Sequence, residues 1–297
     1  MQPSRRAAPI PAWTLRGRRL EWGERAYVMG IINATPDSFS GDGLVDVSAA
    51  VARAMDFVAA GADFIDIGGE STRPGHRPVP EEEEARRVLP VVKAVRAAVG
   101  VPISIDTFKP SVALAALDAG ADAINCVWGA VPGIVGVAAR SNAPLVIMHN
   151  RTAADYSGDV VREVIDSLER SIRDAMDGGV AADRIIVDPG IGFGKTPAQN
   201  IAILNRLAEF AERLPHPLLV GTSRKSFLGF ITGLPVTDRL CPTAATVALA
   251  VASGADIVRV HDVREMVPVV RVAEAISGRS SKLDDLSTKV DLYKRPS

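Results

Sequence analysis

The sequence contains only two cysteines among its 297 residues, and because Cys126 and Cys241 form no CxxC pair, a disulfide framework and a zinc knuckle are excluded. No apolar run approaches the roughly 20 residues of a membrane span. The arginines near the N-terminus are followed by no apolar stretch, so no signal peptide is predicted. Lysine and arginine total 34 against 35 acidic residues, so no broad basic surface favours nucleic acid. These absences predict a cytoplasmic protein with no membrane or nucleic-acid partner.

Eight short apolar runs are the main positive signal, and each has a polar or ionisable residue at or near its end. They cover residues 28–33, 64–69, 103–107, 123–127, 145–149, 185–190, 218–223 and 257–262. Runs of this length that are rich in valine and isoleucine are typical of buried parallel strands. The stretches between them are long enough for helices, so we predict a single (β/α)8 TIM barrel of the α/β class.

The chain length fits one barrel domain, which typically needs about 250 residues. We predict an N-terminal extension over residues 1–26, the barrel over 27–278 and a polar C-terminal tail over 279–297. A short hairpin around residues 15–20 is expected to close the barrel floor, the end at which the strands begin. The predicted connecting helices span residues 48–60, 80–98, 110–119, 134–140, 161–177, 199–212, 243–253 and 267–276.

A Gly-Ala-Asp tripeptide recurs before three of the predicted strands. It lies within AAGADFIDI (59–67), DAGADAINC (118–126) and ASGADIVRV (252–260). Glycine after the last helical turn can adopt the left-handed conformation that ends a helix. The repeat therefore indicates one helix-to-strand unit that is used several times, and it supports the barrel more strongly than any single run does.

In a barrel of this kind the chemistry lies at the mouth, the end at which the strands finish. Nine polar side chains are predicted there: Asn33, Asp66, Asp106, Asn125, His149, Asp188, Ser223, Arg259 and His261. Asp106, Asn125 and Asp188 together could bind a flat, nitrogen-rich ring through its donor edges. For Asp106 the alternative is a helix cap, because a helix is predicted to begin near Pro110.

Three basic side chains near the mouth each have more than one interpretation. Arg259 and His261 alternate along the last predicted strand and so share one face, where an anion or a metal–phosphate group could bind. The alternative for Arg259 is an ion pair with Asp262 or Glu265. Lys225 could contact a ring carbonyl, form a Schiff base or remain solvated.

Two loops beside these residues have compositions suited to a ligand that carries phosphate. Residues 33–43 are rich in small polar residues, and residues 68–78 combine glycines, hydroxyls and Arg73. The alternative for each is an ordinary solvated loop. A third segment, GIGFGKT (190–196), is similar to a phosphate-binding P-loop, but Pro189 stands where that motif needs its first glycine. A nucleoside triphosphatase is therefore not predicted.

Seven segments in register resemble the dihydropteroate synthase family. They are MGIINATPDSFS (29–40), DIGGESTRPG (66–75), ISIDT (103–107), INCVWG (124–129), DPGIGFGKT (188–196), VGTSRKSF (220–227) and RVHDV (259–263). The resemblance implies a TIM-barrel transferase of folate biosynthesis. Such an enzyme joins 6-hydroxymethyl-7,8-dihydropterin diphosphate to 4-aminobenzoate and releases 7,8-dihydropteroate and pyrophosphate. It also implies a sulfonamide target and a homodimer that forms through barrel helices, for which residues 243–277 are the candidates.

The resemblance further implies a role for each matching residue. The catalytic set would be Asp106, Asp188, Lys225, Arg259 and His261. The pterin ring would be held by Asp106, Asn125, Asp188 and Lys225, and the diphosphate by Thr72, Arg259 and His261. Asn33 would contact Mg2+, a hard cation that prefers oxygen ligands. The remaining substrate contacts would come from Phe39, Arg73, Pro74 and Ser226 around the aminobenzoate, and from Phe193 and Val260.

Three departures from the family pattern accompany the match. Cys126 stands where an aspartate is usual, the first loop reads SGDG at 40–43, and Cys241 and Pro242 precede Thr243. None of them removes a residue to which the resemblance gives a direct ligand role.

Three other functions remain as alternatives to an active synthase. The main one is a catalytically weakened pterin-binding paralogue, which the joint presence of Asp188, Lys225 and Arg259 disfavours. A methyl-transfer barrel that uses reduced folate would need no diphosphate site. A Schiff-base aldolase would use Lys225 as its nucleophile.

Overall fold

Each of the eight predicted apolar runs forms a parallel strand in the computed structural model, which describes residues 9–35, 46–70 and 78–279. Two short antiparallel strands come first, β1 (Trp13–Leu15) and β2 (Arg18–Leu20). The eight parallel strands are β3 (Tyr27–Asn33), β4 (Phe64–Gly68), β5 (Ile103–Asp106), β6 (Ala123–Cys126), β7 (Leu145–Met148), β8 (Ile185–Asp188), β9 (Leu219–Val220) and β10 (Ile257–Val260).

These strands pair in the order β8-β7-β6-β5-β4-β3-β10-β9. The ring closes between β8 and β9, where Val187 and Leu218 form a parallel bridge. The predicted TIM barrel is therefore confirmed. Each strand begins within one residue of its prediction, because a strand that is buried on both faces has an uninterrupted apolar sequence.

Ten α-helices are found in the described part of the chain, and most follow the barrel strands. They are α1 (Val47–Ala60), α2 (Glu81–Ala98), α3 (Pro110–Asp118), α4 (Pro132–Ser141), α5 (Val160–Asp177), α6 (Pro197–Asn205), α7 (Leu207–Arg213), α8 (Ser226–Thr232), α9 (Leu240–Ala252) and α10 (Val263–Ser277). Across the described ranges, no helix is both long enough and apolar enough to cross a membrane.

The helix predictions were wrong in three places. The single helix expected over 199–212 is divided at Arg206, whose φ of −114° lies outside the helical range. Helix α8 was not predicted, because seven residues are too few to show a helical period. Helix α10 begins four residues earlier than expected, at Val263, and contains Pro268 in its interior.

The repeated Gly-Ala-Asp unit has a clear structural role. Gly61, Gly120 and Gly254 all have left-handed backbones after a helix, with φ of 103°, 113° and 101°. The aspartates two residues later accept hydrogen bonds from backbone N–H groups of an adjacent strand or its lead-in: Asp63 from Val28 at 2.9 Å, Asp122 from Ile103 at 2.9 Å and Asp256 from Leu218 at 2.8 Å. Each unit therefore ends one helix and fixes the start of a neighbouring strand.

An aromatic cluster fills the floor half of the barrel interior. Trp13, Trp22, Tyr27 and Phe64 stack edge to face in sequence, with ring centroids 4.9, 5.3 and 6.2 Å apart. Aliphatic side chains from the other strands complete this floor cluster: Met29, Val146, Ile186, Leu219 and Ile257. Trp13 and Leu20 come from the β1–β2 hairpin, so the prediction that a hairpin closes the floor is confirmed.

Side chains alternate along each strand between the barrel interior and the surrounding helices. On β4, Ile65 and Ile67 pack outward and are fully buried, whereas Phe64 and Asp66 point inward. The inward positions change from apolar to charged within two residues along the strand. The floor is therefore closed and apolar, and polar chemistry begins immediately above it.

Candidate active site

Strand register brings the predicted mouth residues together. Asn33 lies opposite Gly68, Gly68 opposite Asp106, and Asp106 opposite Asn125, so one row crosses four adjacent strands. Asp188 ends β8, where it lies opposite Met148 of β7. Since residues of one row in a parallel sheet face the same way, their side chains converge on the barrel mouth.

Arg259 is held between two carboxylates inside this mouth. Its Nε donates to Asp66 Oδ2 at 2.6 Å, and its Nη2 donates to Asp106 Oδ2 at 2.7 Å. Asp66 is fully buried and also accepts from Ser104 Oγ and, at 3.2 Å, from Asn125 Nδ2. A buried guanidinium needs such partners, because the cost of removing its charge from water is otherwise uncompensated.

The alternative ion pair considered for Arg259 is not formed. Asp262 pairs with Arg224 instead, whose Nε donates to it at 2.9 Å. Arg259 uses Asp66 and Asp106, both on the barrel interior. Sequence separation gave no indication of these partners. They lie on β4 and β5, which do not pair with β10, so the contacts cross the barrel interior.

Asp106 has one oxygen available for a ligand. Its Oδ1 is buried and has no hydrogen-bond partner among the described residues, while Oδ2 is paired with Arg259. Burial raises the pKa of Asp106 to about 7 against the lowering effect of Arg259, and the nearby Asp66 raises it further. The helix-cap alternative is not formed, because Lys109 occupies the N-cap of α3 and makes no side-chain capping bond.

Asp188 and Lys225 form a second charged pair at the mouth. Asp188 Oδ1 accepts from the Gly190 N–H at 2.7 Å, and burial raises the pKa of this carboxyl. Lys225 donates from Nζ to the Ile191 carbonyl, and its Nζ lies 4.4 Å from the centroid of the Phe193 ring. Burial lowers the pKa of Lys225 to about 8, while the charge of Asp188 opposes that shift. The two groups stabilise each other's charged forms.

His261 is oriented by Ser223. The ring Nδ1 of His261 lies 2.9 Å from Ser223 Oγ, which also accepts from the His261 backbone N–H at 3.2 Å. Ser223 is buried at the end of the segment that follows β9. This contact places the imidazole on the same side of β10 as Arg259, so a basic edge lies beside the carboxylates.

Asn33 offers a neutral oxygen donor at the end of β3, where its side chain is half-buried. In the described ranges, no group of three or more His, Cys, Asp and Glu side chains could hold a metal ion. A Mg2+ ion that keeps several waters and substrate phosphates needs only one or two protein oxygens. The donor chemistry of Asn33 therefore fits such an ion.

Comparison with known proteins decides the family. The family described as "Pterin binding enzyme" matches residues 29–261. Dihydropteroate synthase of Bacillus subtilis (strain 168) is 45% identical over 260 residues, which cover 86% of this chain and 90% of that protein. The chain belongs to the dihydropteroate synthase family. It is a transferase of folate biosynthesis.

Solved structures of dihydropteroate synthases share both the fold and much of the sequence. The Xanthomonas albilineans enzyme with 4-aminobenzoic acid is 43% identical, has a TM-score of 0.84, and matches 90% of this chain and 98% of its own. The Clostridium difficile enzyme in the presence of pteroic acid is 44% identical, has a TM-score of 0.83, and matches 86% of this chain and 98% of its own. The similarity therefore extends over essentially the whole barrel.

Four residues predicted from the resemblance to dihydropteroate synthases lie outside the described residues: Phe39, Thr72, Arg73 and Pro74. The altered SGDG segment at 40–43 also lies there. Of the others, Ser226 is exposed at the start of α8 and Phe193 lies beside Lys225. Val260 packs between the barrel and the helices with no exposed surface, so its side chain is not available to a substrate.

Cys126 is a packed apolar thiol. It is fully buried in the core between the barrel and the helices, and burial raises the pKa of its thiol to about 11. It alternates with Asn125, so its side chain points away from the mouth. This departure from the dihydropteroate synthase pattern therefore leaves the polar lining of the pocket unchanged.

Sequence reasoning gave no role to Asp66, which is the most deeply buried charge of the site. Its position was visible as a strand-end candidate two residues before Gly68. Asp66 and Arg259 are opposite charges that each lie inside an otherwise apolar strand. Because a buried charge needs a partner, this pattern could have predicted that they pair. Ser104 carries a similar signal, as a hydroxyl within the ISID segment of β5.

Proposed function

We propose that this protein condenses 6-hydroxymethyl-7,8-dihydropterin diphosphate with 4-aminobenzoate to give 7,8-dihydropteroate and pyrophosphate. Family membership supports the reaction, as do the related structures with 4-aminobenzoic acid and in the presence of pteroic acid. The observation that carries the proposal is the buried, unpartnered Oδ1 of Asp106 in a mouth lined by Asn125, Asp188 and Lys225. Such a set matches the donor edge and the carbonyl of a pterin ring.

The pterin would bind across two charged pairs. Asp106 and Asp188 accept hydrogen bonds from the ring nitrogens, Asn125 contributes an amide, and Lys225 donates to the ring carbonyl. Asp66 stays beneath them as the partner that keeps Arg259 in place. Each of these groups already has a fixed neighbour, so little side-chain ordering remains to be done when the substrate binds.

The diphosphate would lie at the basic edge. Arg259 uses its Nε and Nη2 groups on carboxylates, which leaves the two N–H groups of Nη1 for an anion. His261 lies two residues beyond Arg259, directly after the end of β10. Asn33 would hold a Mg2+ ion, which neutralises part of the diphosphate charge when it is bound.

Catalysis would proceed by departure of pyrophosphate before the new bond is complete. Arg259 and His261 stabilise the negative charge that builds on the leaving group. The pterin methylene becomes cationic, and the buried carboxylate of Asp188 favours that charge. The aminobenzoate nitrogen then attacks and loses a proton, so it requires positioning rather than strong activation.

A homodimer is the assembly that the surface favours. Large apolar side chains are exposed on the last three helices: Phe230 at 74%, Ile231 at 55%, Leu249 at 55%, Val272 at 59% and Ile276 at 82%. An exposed apolar patch of this kind is typical of a protein–protein interface. We further propose a cytoplasmic location. The proposed catalytic barrel spans residues 27–278, with flanking segments at 1–26 and 279–297.

Measurement of pyrophosphate release tests the proposed reaction. The protein is supplied with pterin diphosphate and 4-aminobenzoate, separately and together. Release that needs both substrates is the expected result. A protein that binds the pterin diphosphate with ordinary affinity but releases no pyrophosphate would be the weakened paralogue instead.

A further inference from the structure

Lys195 is a half-buried lysine that the proposed reaction does not use, although it lies in the GIGFGKT segment. Its Nζ lies 2.9 Å from the Gly190 carbonyl, 3.0 Å from the Phe193 carbonyl and 3.0 Å from His149 Nδ1. An ammonium has three N–H groups, so all three are satisfied by these acceptors. Lys195 thus joins both ends of the 190–193 turn to the residue that follows β7.

The backbone of the same turn also contacts Asp188 and Lys225, which are proposed to bind the pterin. The Gly190 N–H donates to Asp188 Oδ1 at 2.7 Å, and the Ile191 carbonyl accepts from Lys225 Nζ. The Phe193 ring lies 4.4 Å from that Nζ. Because its backbone contacts both charged groups, a shift of the turn would displace Asp188 and Lys225 together.

Packing of the turn depends on the absence of side chains. Gly190 and Gly194 have φ of 68° and 54°, and a Cβ on them would lie 1.9 Å from the His149 carbonyl oxygen and 2.2 Å from the Arg151 carbonyl oxygen. The turn therefore lies directly against neighbouring backbone. At those positions no side chain of the turn can fix it, so its polar attachments come from neighbouring residues. Lys195 binds two of its carbonyls, and Asn200 Oδ1 accepts from the Gly192 N–H at 2.6 Å.

His149 is a suitable permanent acceptor for Lys195. It is buried, and burial lowers its pKa to about 3, with the charge of Lys195 adding to the effect. The imidazole is therefore neutral at physiological pH, with Nδ1 accepting and the proton on Nε2. Burial also lowers the pKa of Lys195 to about 7, while the charge of Asp188 opposes that shift. The acceptor therefore stays available throughout the working range, and the fully charged donor is favoured below about pH 7.

We propose that Lys195 is a positioning residue for the pterin substrate, acting through the turn at 190–193 on Asp188 and Lys225, with His149 as its acceptor. This inference rests on the proposed function, because its effect is read in the binding of pterin diphosphate. It assigns a role to the lysine of a segment that only superficially resembles a P-loop.

Kinetics of the Lys195→Met variant test this role, with Lys93→Met, an exposed lysine on α2, as the matched control. We expect the KM for pterin diphosphate to rise about tenfold, as for loss of a charge-assisted hydrogen bond. The KM for 4-aminobenzoate should change less than about twofold. Lys93→Met should match the wild type. An unchanged KM for pterin diphosphate, or an equal rise for both substrates, would overturn the proposal.

A double-mutant cycle with His149 separates positioning from general loss of packing. His149→Leu removes the acceptor and should raise the same KM about as much as Lys195→Met does, while the double variant should be little worse than either. His149→Asn keeps an acceptor near the Nδ1 position and should restore most of the affinity. Independent, multiplying effects of the two substitutions would contradict the coupling.

Calorimetric titration of pterin diphosphate distinguishes this proposal from the proposed function. If the wild-type protein binds no pterin diphosphate, the proposed function has failed. If the wild type binds and Lys195→Met binds equally well, only the positioning role has failed. Should Lys195→Met not fold, the His149→Leu and His149→Asn pair still decides the outcome, with weak binding expected only for the leucine variant.

Discussion

The floor and the mouth of the barrel interior are built from the same strands but have opposite chemistry. Phe64 belongs to the floor cluster, and two residues later Asp66 lies fully buried at the mouth. In the same way Ile257 precedes Arg259, and Ile186 precedes Asp188. Two residues along a strand therefore separate the apolar floor cluster from the charged mouth.

This difference shows how the fold separates stability from reactivity. The floor stacks aromatic rings edge to face with few polar requirements, so its contribution is that of a hydrophobic core. The mouth buries carboxylates at a cost in desolvation, which raises the pKa values of Asp106 and Asp188. Substitutions at the floor should therefore change stability alone, and those at the mouth should change mainly activity.

The largest expected effect lies at the mouth. Asp188→Asn keeps an acceptor for the Gly190 N–H but removes the charge that favours the cationic pterin, so kcat should fall about 10³-fold. Its melting temperature should change little, because removing the desolvation cost of the buried carboxylate offsets the loss of its attraction to Lys225. Asp183→Asn, an exposed carboxylate near the floor, is the control and should leave both quantities unchanged. Activity close to that of the wild type would remove Asp188 from the mechanism.

Substitutions at the floor should instead lower stability and leave activity unchanged. Phe64→Ala should lower the free energy of unfolding by roughly 3–4 kcal/mol, because it removes a ring that packs against Tyr27 and leaves a cavity. Urea denaturation measures this loss. The kcat/KM per folded molecule should be unchanged, and Phe64→Leu should recover most of the stability. A specific loss of turnover in a stably folded Phe64→Ala protein would show that the floor also contributes to activity.

Substitution of Arg259 should change both stability and activity. Arg259→Met leaves the buried carboxylates of Asp66 and Asp106 without their cation, so stability should fall by about 3 kcal/mol in addition to the loss of activity. Adding Asp66→Asn should restore at least half of that stability without restoring turnover. If the second substitution restores nothing, Arg259 does not compensate the charge of Asp66.

The smallest expected effect is a pH dependence of stability at the mouth. The pKa of Asp106 is about 7 in the folded protein against an ordinary value of 3.8, so between these values the folded state binds a proton that the unfolded state has lost. Stability should therefore fall as the pH rises from about 4 to 7. Relative to Asp106→Asn, we expect the wild type to lose stability progressively over this window.

Urea unfolding of both proteins at several pH values provides the measurement. A difference between them that is constant from pH 4 to 7 would show that Asp106 is ionised throughout. In that case the ion pair with Arg259 would dominate over burial.

The barrel and most of its mouth could be predicted from the sequence because their signals are local. Eight apolar runs gave every parallel strand, and each polar residue at a strand end necessarily reached the same rim. The partners of Arg259 could not be predicted in this way, because Asp66 and Asp106 are separated from it by most of the chain. The division of the helix near Arg206 was equally invisible, since it interrupts a continuous helical pattern.

A crystal structure of the protein soaked with a pterin would show whether the ring binds across the charged mouth. We expect ring nitrogens within about 3 Å of Asp106 Oδ1 and of the Asp188 carboxylate. A pterin found instead in the cavity of about 510 Å3 near the floor, beside Trp13 and Leu214, with the mouth empty, would contradict it.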